Sequence, residues 1–217
     1  APTDTVQVIG NIKFARVAAA GGITPIELPR PYVLAASTRD GEEKKVLSAW
    51  REARTAGRLL VIAPRHPKRL EEILDDLAPL QAKVAVRSRG ERITEETEVY
   101  VADTLGELQR FMAGTDLVFM GGSLVPKGGH NLLEPARLGN AVIFGPHMEN
   151  FESEARLLLT EQAANQVASG SELAEAITRL LADPDEISSM GRKAARAVRA
   201  RTDMAERYRE AVEKCCG

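Results

Sequence analysis

The sequence predicts an α/β fold, a doubly wound parallel sheet with helices on both faces. Three observations carry that expectation. Short apolar runs alternate about six times with helix-length amphipathic segments. The runs are apolar throughout and rich in Val, Ile and Leu, as strands covered on both faces are. Glycine, proline, histidine and basic residues gather directly after the runs, and such sheets bind ligands outside the carboxyl ends of their strands.

In chain order, "VQVIG" (6–10) reads as a strand ending in a glycine turn, and "YVLAAST" (32–38) as a buried strand. "DGEEKKVLSAWREARTAG" follows as a helix, with Val46, Leu47, Trp50, Ala53 and Arg54 at helical spacing. Asp40 is the expected cap, with Glu43 three residues later. "RLLVIAP" (58–64) is the next strand, and Pro67 opens the helix in "HPKRLEEILDDLAPL". "AKVAVRS" (82–88) and the run Val99–Val101 are further strands. The segment "TLGELQRFMAGT" reads as a helix capped by Thr104, with Glu107 in the box position. "DLVFMGG" (116–122) and "NAVIFGP" (140–146) are strands flanking a glycine-rich junction. A helix over "NFESEARLLLTEQ", a weak strand "AANQVA" and a helix over 171–183 come next; the last carries Leu173, Ile177, Leu180 and Leu181 on one stripe. "PDEISSMGRKAARAVRART" and "MAERYREAVEKCC" read as further helices.

With 217 residues, 44% of them hydrophobic, the chain can bury one sizeable core. A formal charge of -2, from 29 basic and 31 acidic residues, gives no bulk electrostatic case for nucleic acid. The only cysteines, Cys215 and Cys216, are adjacent, which argues against a disulfide scaffold. No apolar stretch reaches the length of a membrane span, and no signal peptide is visible.

The chemistry is expected where strands end. His66, His130 and His147 each follow a different strand, so all three should emerge on one edge of the sheet. Without a compact HExxH or CxxC framework, a metal site is not expected. "APRHPKR" sets Arg65, His66, Lys68 and Arg69 together, and Arg65 can grip a phosphate or carboxylate bidentately. In "GGSLVPKGGHN", Gly121 and Gly122 let backbone approach a ligand where no Cβ would fit. Gly128 and Gly129 stand before a helix expected to open near His130 or Asn131, whose free N–H groups would attract phosphate; Ser123 and Lys127 add donors. The pattern is neither GxGxxG nor GxxxxGK[ST], so neither a dinucleotide fingerprint nor a nucleoside triphosphatase loop is supported. Glu134 can accept two hydroxyl hydrogen bonds, as a ribose would offer, or serve simply as a first-turn carboxylate.

At these residues the chain resembles a known family. "GGSLVPKGGHNLLEPARLG", "APRHPKR", "FGPHMENF" and "GNIKF" look like the C-terminal half of the bacterial 3-deoxy-D-manno-octulosonic acid (Kdo) transferases. The resemblance runs from Gly10 to the final helices. It implies the C-terminal, Rossmann-like lobe of a two-lobed GT-B glycosyltransferase of lipopolysaccharide biosynthesis. That lobe binds the donor, CMP-Kdo, without a metal or other cofactor. The N-terminal lobe carries the acceptor surface, the catalytic glutamate and the membrane contact. The reaction inverts the anomeric centre and attaches Kdo to a lipid A precursor (lipid IVA) on the cytoplasmic side of the inner membrane.

Carried over position by position, Arg65 resembles a donor-phosphate ligand with His66 beside it. Gly121, Gly122 and Ser123 match the glycine–serine turn near the donor, and Lys127 stands where arginine is frequent. Gly128, Gly129, His130 and Asn131 match the second glycine motif, and Glu134 the ribose carboxylate. Gly145, Pro146, Asn150 and Phe151 match the next loop, with His147 between them. Two positions depart: Ala141 stands where proline is usual, and Ala15 where aspartate is common. The resemblance divides the chain into an interlobe lead-in (1–31), a donor-binding domain (32–200) and a C-terminal helix (201–217) leaning toward the other lobe. The catalytic glutamate has no counterpart among these residues, so the 217 residues alone should bind cytidine nucleotides and transfer nothing. Another nucleotide-sugar enzyme, such as a UDP-sugar transferase or epimerase, and a non-catalytic nucleotide-binding module are the competing readings.

Overall fold

The computed structural model describes residues 22–53, 55 and 57–216, with side chains described as far as residue 201. The strand expected at "VQVIG", Ala15 and Arg54 lie outside the described residues. Seven parallel strands form one sheet: β1 (Tyr32–Thr38), β2 (Leu59–Pro64), β3 (Val84–Val86), β4 (Val99–Val101), β5 (Leu117–Met120), β6 (Ala141–Phe144) and β7 (Ala164–Gln166). Their order is β3-β4-β2-β1-β5-β6-β7. The helices are α1 (Glu42–Glu52), α2 (Leu70–Leu77), α3 (Leu108–Ala113), α4 (Leu133–Leu138), α5 (Glu152–Thr160), α6 (Gly170–Ala182) and α7 (Pro184–Cys216).

Strand side chains alternate between two cores. Leu34, Val61, Val118 and Val142 face the side covered by α3, α4 and α5. Val33, Leu60, Phe119 and Ile143 face α1, α2 and α6. The helix α7 serves both: Ile187 and Met190 pack on the second core, Ala194, Ala197 and Val198 on the first. Both faces of the sheet are therefore dry, which is why its strands read as continuous apolar runs rather than alternating ones. The two terminal helices expected from sequence are one continuous helix, since no proline or cap interrupts 185–216.

The described end of the lead-in (22–31) packs on the domain: Ile26 is buried and its N–H donates to the Arg110 carbonyl at 3.1 Å. β3 and β4 are joined by a turn-rich segment (87–98) with no crossover helix. Side chains supply its order instead. Glu91 accepts from the Val86 N–H at 2.8 Å, and Thr97 from the Thr94 N–H at 2.9 Å. Arg87 pairs bidentately with Glu107 and lies over the Phe111 ring, 5.2 Å from its centroid.

Two expected caps fall differently. α1 is capped by Gly41 in the left-handed conformation (φ 77), and neither Asp40 nor Glu43 bonds its first amides. Thr104 does not cap α3; its hydroxyl donates to Glu107, which is already committed to Arg87. Ala141, at the position where the resemblance expects proline, donates its N–H to the Asp116 carbonyl at 2.8 Å, a bond proline could not make.

Candidate functional site

The chain turns one way from β1, through α1 to β2, and the other way from β5, through α4 to β6. Adjacent strands β1 and β5 thus form a topological switch point, where diverging loops leave a crevice at the carboxyl edge. The β1–α1 loop brings Arg39, the loop after β2 brings Arg65 and His66, and the β5–α4 loop brings Gly121 to Asn131.

Four basic side chains converge there. Arg39 donates from Nη1 to His66 Nε2 at 2.5 Å, while its own Nε is buried without a hydrogen-bond partner. His130 is half-buried, and its Nε2 likewise has no partner. Burial first, then the cations Arg39 and Arg65 with His66 beside them, pushes His130 down to about 4. The imidazole is neutral at pH 7 because a further positive charge here is unfavourable. Such a set of donors with orphaned N atoms suits an anion.

The glycine motif does something other than the sequence suggests. The N–H groups of Gly122, Ser123 and Leu124 point at the buried carboxylate of Glu42, at 2.6, 3.1 and 2.9 Å. A Cβ on Gly121 would stand 2.6 Å from Thr38 Cα, and one on Gly128 2.1 Å from Asn150 Nδ2. A Cβ on Gly145 would stand 2.2 Å from the Ser123 carbonyl oxygen. These glycines let loop approach loop. Ser123 is fully buried; its hydroxyl donates to the Met120 carbonyl (2.5 Å) and accepts from Gly145 N–H (2.7 Å), so it cannot serve as a ligand donor. The Gly129 N–H is bound to the Gly122 carbonyl at 2.9 Å.

α4 begins at Leu133, later than expected, so His130 and Asn131 lie in the loop before it; Asn131 Oδ1 accepts the Leu133 N–H at 3.0 Å. Glu134 is half-buried in the first turn of α4, and Lys127 is exposed. Pro146 and Asn150 are exposed on the β6 loop, where the Asn150 N–H bonds the Gly128 carbonyl at 3.1 Å. His147 also lies on the carboxyl edge, in the loop after β6, where its N–H donates to the Ser123 carbonyl at 3.0 Å and its Nδ1 lies 3.4 Å from Glu149 Oε1. No group of three His, Cys, Asp or Glu side chains able to hold a metal occurs among the described residues. A separate cleft of about 430 Å³ opens at the amino ends of the strands, lined by Tyr32, Arg58, Asp116, Ser188 and Arg192.

Similar sequences and a similar fold occur in known proteins. The chain is 33% identical over 194 residues to the 3-deoxy-D-manno-octulosonic acid transferase of Haemophilus influenzae, covering 85% of this chain and 45% of that protein. It is 32% identical over 194 residues to the enzyme of that name from Bordetella pertussis, covering 87% and 45%. The crystal structure of the C-terminal CMP-Kdo binding domain of WaaA from Acinetobacter baumannii superposes with a TM-score of 0.73 at 31% identity, covering 78% of this chain and 89% of that one. This chain belongs to the Kdo transferase family.

Within that family it corresponds to the C-terminal lobe of the GT-B fold, and it spans about half the length of the curated Kdo transferases, 45% for the two bacterial relatives above. Anabaena HepE, solved with UDP and glucose, shares the fold alone, with a TM-score of 0.61 at 16% identity. No protein-family profile matches the chain.

Arg39 and Glu42 of this Kdo-transferase lobe escaped the sequence reading, and Glu43 was expected only as a partner in the α1 cap. The glutamates look like the solvent face of a helix, yet both side chains are fully buried. Glu43 accepts from Thr38 Oγ1 and from Arg69 Nη1, each at 3.0 Å. Arg69, which the sequence groups with Arg65, is thereby tied into the protein. The available signal was position: "TRDGEE" directly follows a strand, as "PRHP" does, and deserved the same scrutiny.

Proposed function

We propose that this domain holds CMP-Kdo in the β1/β5 crevice and supplies the donor lobe of an inverting transferase that attaches Kdo to lipid A precursor. The observation that carries the reading is the convergence of Arg39, Arg65, His66 and a neutral His130 from three loops at the switch point. Arg39 and Arg65 take the phosphate of the cytidine monophosphate. The unpartnered His130 Nε2 faces the same anion, and Lys127 reaches it from the loop. Glu134 accepts from the ribose hydroxyls. The glycines, Ser123 and Asn150 act by holding these loops in contact.

In the transfer, the acceptor hydroxyl attacks the anomeric carbon of Kdo, and the bond from that carbon to the phosphate oxygen breaks. Negative charge grows on the departing nucleotide, and fixed guanidinium groups favour that charge without reorganising. A general base, proposed to lie in the other lobe, takes the hydroxyl proton. Partners in the complete enzyme are that lobe, the lipid acceptor and the inner-membrane surface on its cytoplasmic side. No helix among the described residues is long and apolar enough to cross a membrane.

Calorimetric titration of the 217-residue chain with CMP, UMP and inorganic phosphate tests the reading. CMP is expected to bind more tightly than UMP, and Arg65→Ala to weaken CMP and inorganic phosphate alike. Equal affinity for CMP and UMP would move the donor to another nucleotide class.

A further inference from the structure

Glu42 is a fully buried carboxylate beside the crevice. Four backbone N–H groups converge on it: Gly122 at 2.6 Å, Leu124 at 2.9 Å, Ser123 at 3.1 Å and Arg39 at 3.1 Å. Burial pushes the Glu42 carboxyl up from its ordinary range, and the four N–H groups work against that shift, since every neighbour bonded to the carboxylate is a donor and favours its ionised form. Three consecutive N–H groups closing on one anion form a backbone nest, the arrangement that usually receives a phosphate. Here the protein fills the nest with its own side chain.

We propose that Glu42 is a positioning residue for the donor: it locks the β5–α4 loop onto the end of β1, so that Arg39 and His130 face one another before any nucleotide arrives. The inference rests on the donor-binding reading above. Both walls of the crevice hang on the one carboxylate. Its bond to the Arg39 N–H fixes the residue whose guanidinium meets His66. Its bond to the Gly122 N–H fixes the residue against which His130 packs; a Cβ at Gly122 would stand 3.0 Å from His130 Cδ2 and 3.4 Å from Arg39 Cγ.

The end of β1 is shaped for this contact. Its register with β2 slips between Ala36 and Thr38, and the intervening Ser37 is buried with φ 56, a left-handed conformation uncommon outside glycine. Such bulges re-aim the residues that follow them. Beyond the slip Thr38 still pairs with Pro64 of β2, and Gly121, just after β5, has no room for a Cβ against Thr38 Cα and Glu42 Oε2. A purely structural tie could have used apolar packing. A buried charge instead holds the loop at defined N–H positions, and preorganised loops lower the ordering cost of binding.

Glu42→Gln tests the lock, because its NH₂ group would confront N–H donors. The expected result is a CMP Kd raised at least tenfold and loss of the low-field amide proton shifts of Gly122 and Leu124. Ile73→Val, in the α2 core away from the crevice, should lower Tm while leaving both readouts unchanged. A folded Glu42→Gln protein that binds CMP like the parent overturns the proposal. If the variant does not fold, amide hydrogen exchange of the unaltered, nucleotide-free chain decides. Protection at Gly122, Ser123 and Leu124 equal to that of β5 supports the lock; fast exchange there that slows only with CMP overturns it. An unaltered chain that fails to bind CMP would refute the donor reading, while the exchange experiment still judges the lock.

Discussion

At the scale of single residues, the crevice gathers Arg39, Arg65, His66 and a neutral His130, the set proposed to take the donor phosphate. His130 has a folded-state value near 4 against an ordinary 6.5, so the unfolded chain binds the extra proton between those values. Its contribution to stability is complete above pH 6.5 and is lost as pH falls toward 4. A bound phosphate should raise the His130 value; NMR titration of its ring protons with and without CMP reads that directly, and an unmoved value would take His130 out of the site. Removing Arg39 deletes a charge-assisted contact worth about 1.5–3 kcal/mol, roughly ten- to a hundredfold in Kd. Arg39→Ala should therefore weaken CMP binding by about that much in calorimetry, with little change in Tm. The sequence made Arg65, His66 and His130 legible because each follows an apolar run. It could not show that the amides of "GGS" already have a partner, because that partner, Glu42, lies 80 residues before Gly122.

At the scale of elements, close backbone contact sets the tolerances. α7 passes Gly139 so closely that a Cβ on Gly191 would stand 1.9 Å from the Gly139 carbonyl oxygen. Gly191→Ala should destabilise the domain by about 1–3 kcal/mol, although alanine favours helix by about 1 kcal/mol. At Gly170 the nearest atom to an added Cβ is 3.8 Å away, so Gly170→Ala should be neutral or slightly stabilising in chemical denaturation. Strand positions were readable because both faces of the sheet are buried, leaving uninterrupted apolar runs. Helix starts were less so. Asp40 looked like a cap, but Gly41 takes the left-handed turn and frees Glu42 and Glu43 to point inward. Thr104 and Glu107 fit a capping box in spacing, yet Arg87, from a distant strand end, claims the glutamate. That pairing, with the Thr104 bond, holds Glu107 near 2. Its contribution is present above pH 4.5 and fades as pH falls through 2.

At the scale of the whole molecule, the switch point between β1 and β5 gathers the loops proposed to bind the donor on one edge, while the cleft near Arg58 and Arg192 lies on the other. On the proposed division of labour, the 217-residue chain alone binds donor nucleotide and transfers no Kdo, and a radiolabel transfer assay with lipid acceptor should remain at background. The central claim is the location of the donor. It is tested most directly by following backbone amide signals of this chain during titration with CMP. The account predicts shifts at Arg39–Gly41, Arg65–His66, Gly128–Asn131 and Glu134. Unchanged signals there at millimolar CMP, or shifts confined to Arg58, Asp116, Ser188 and Arg192, would contradict it.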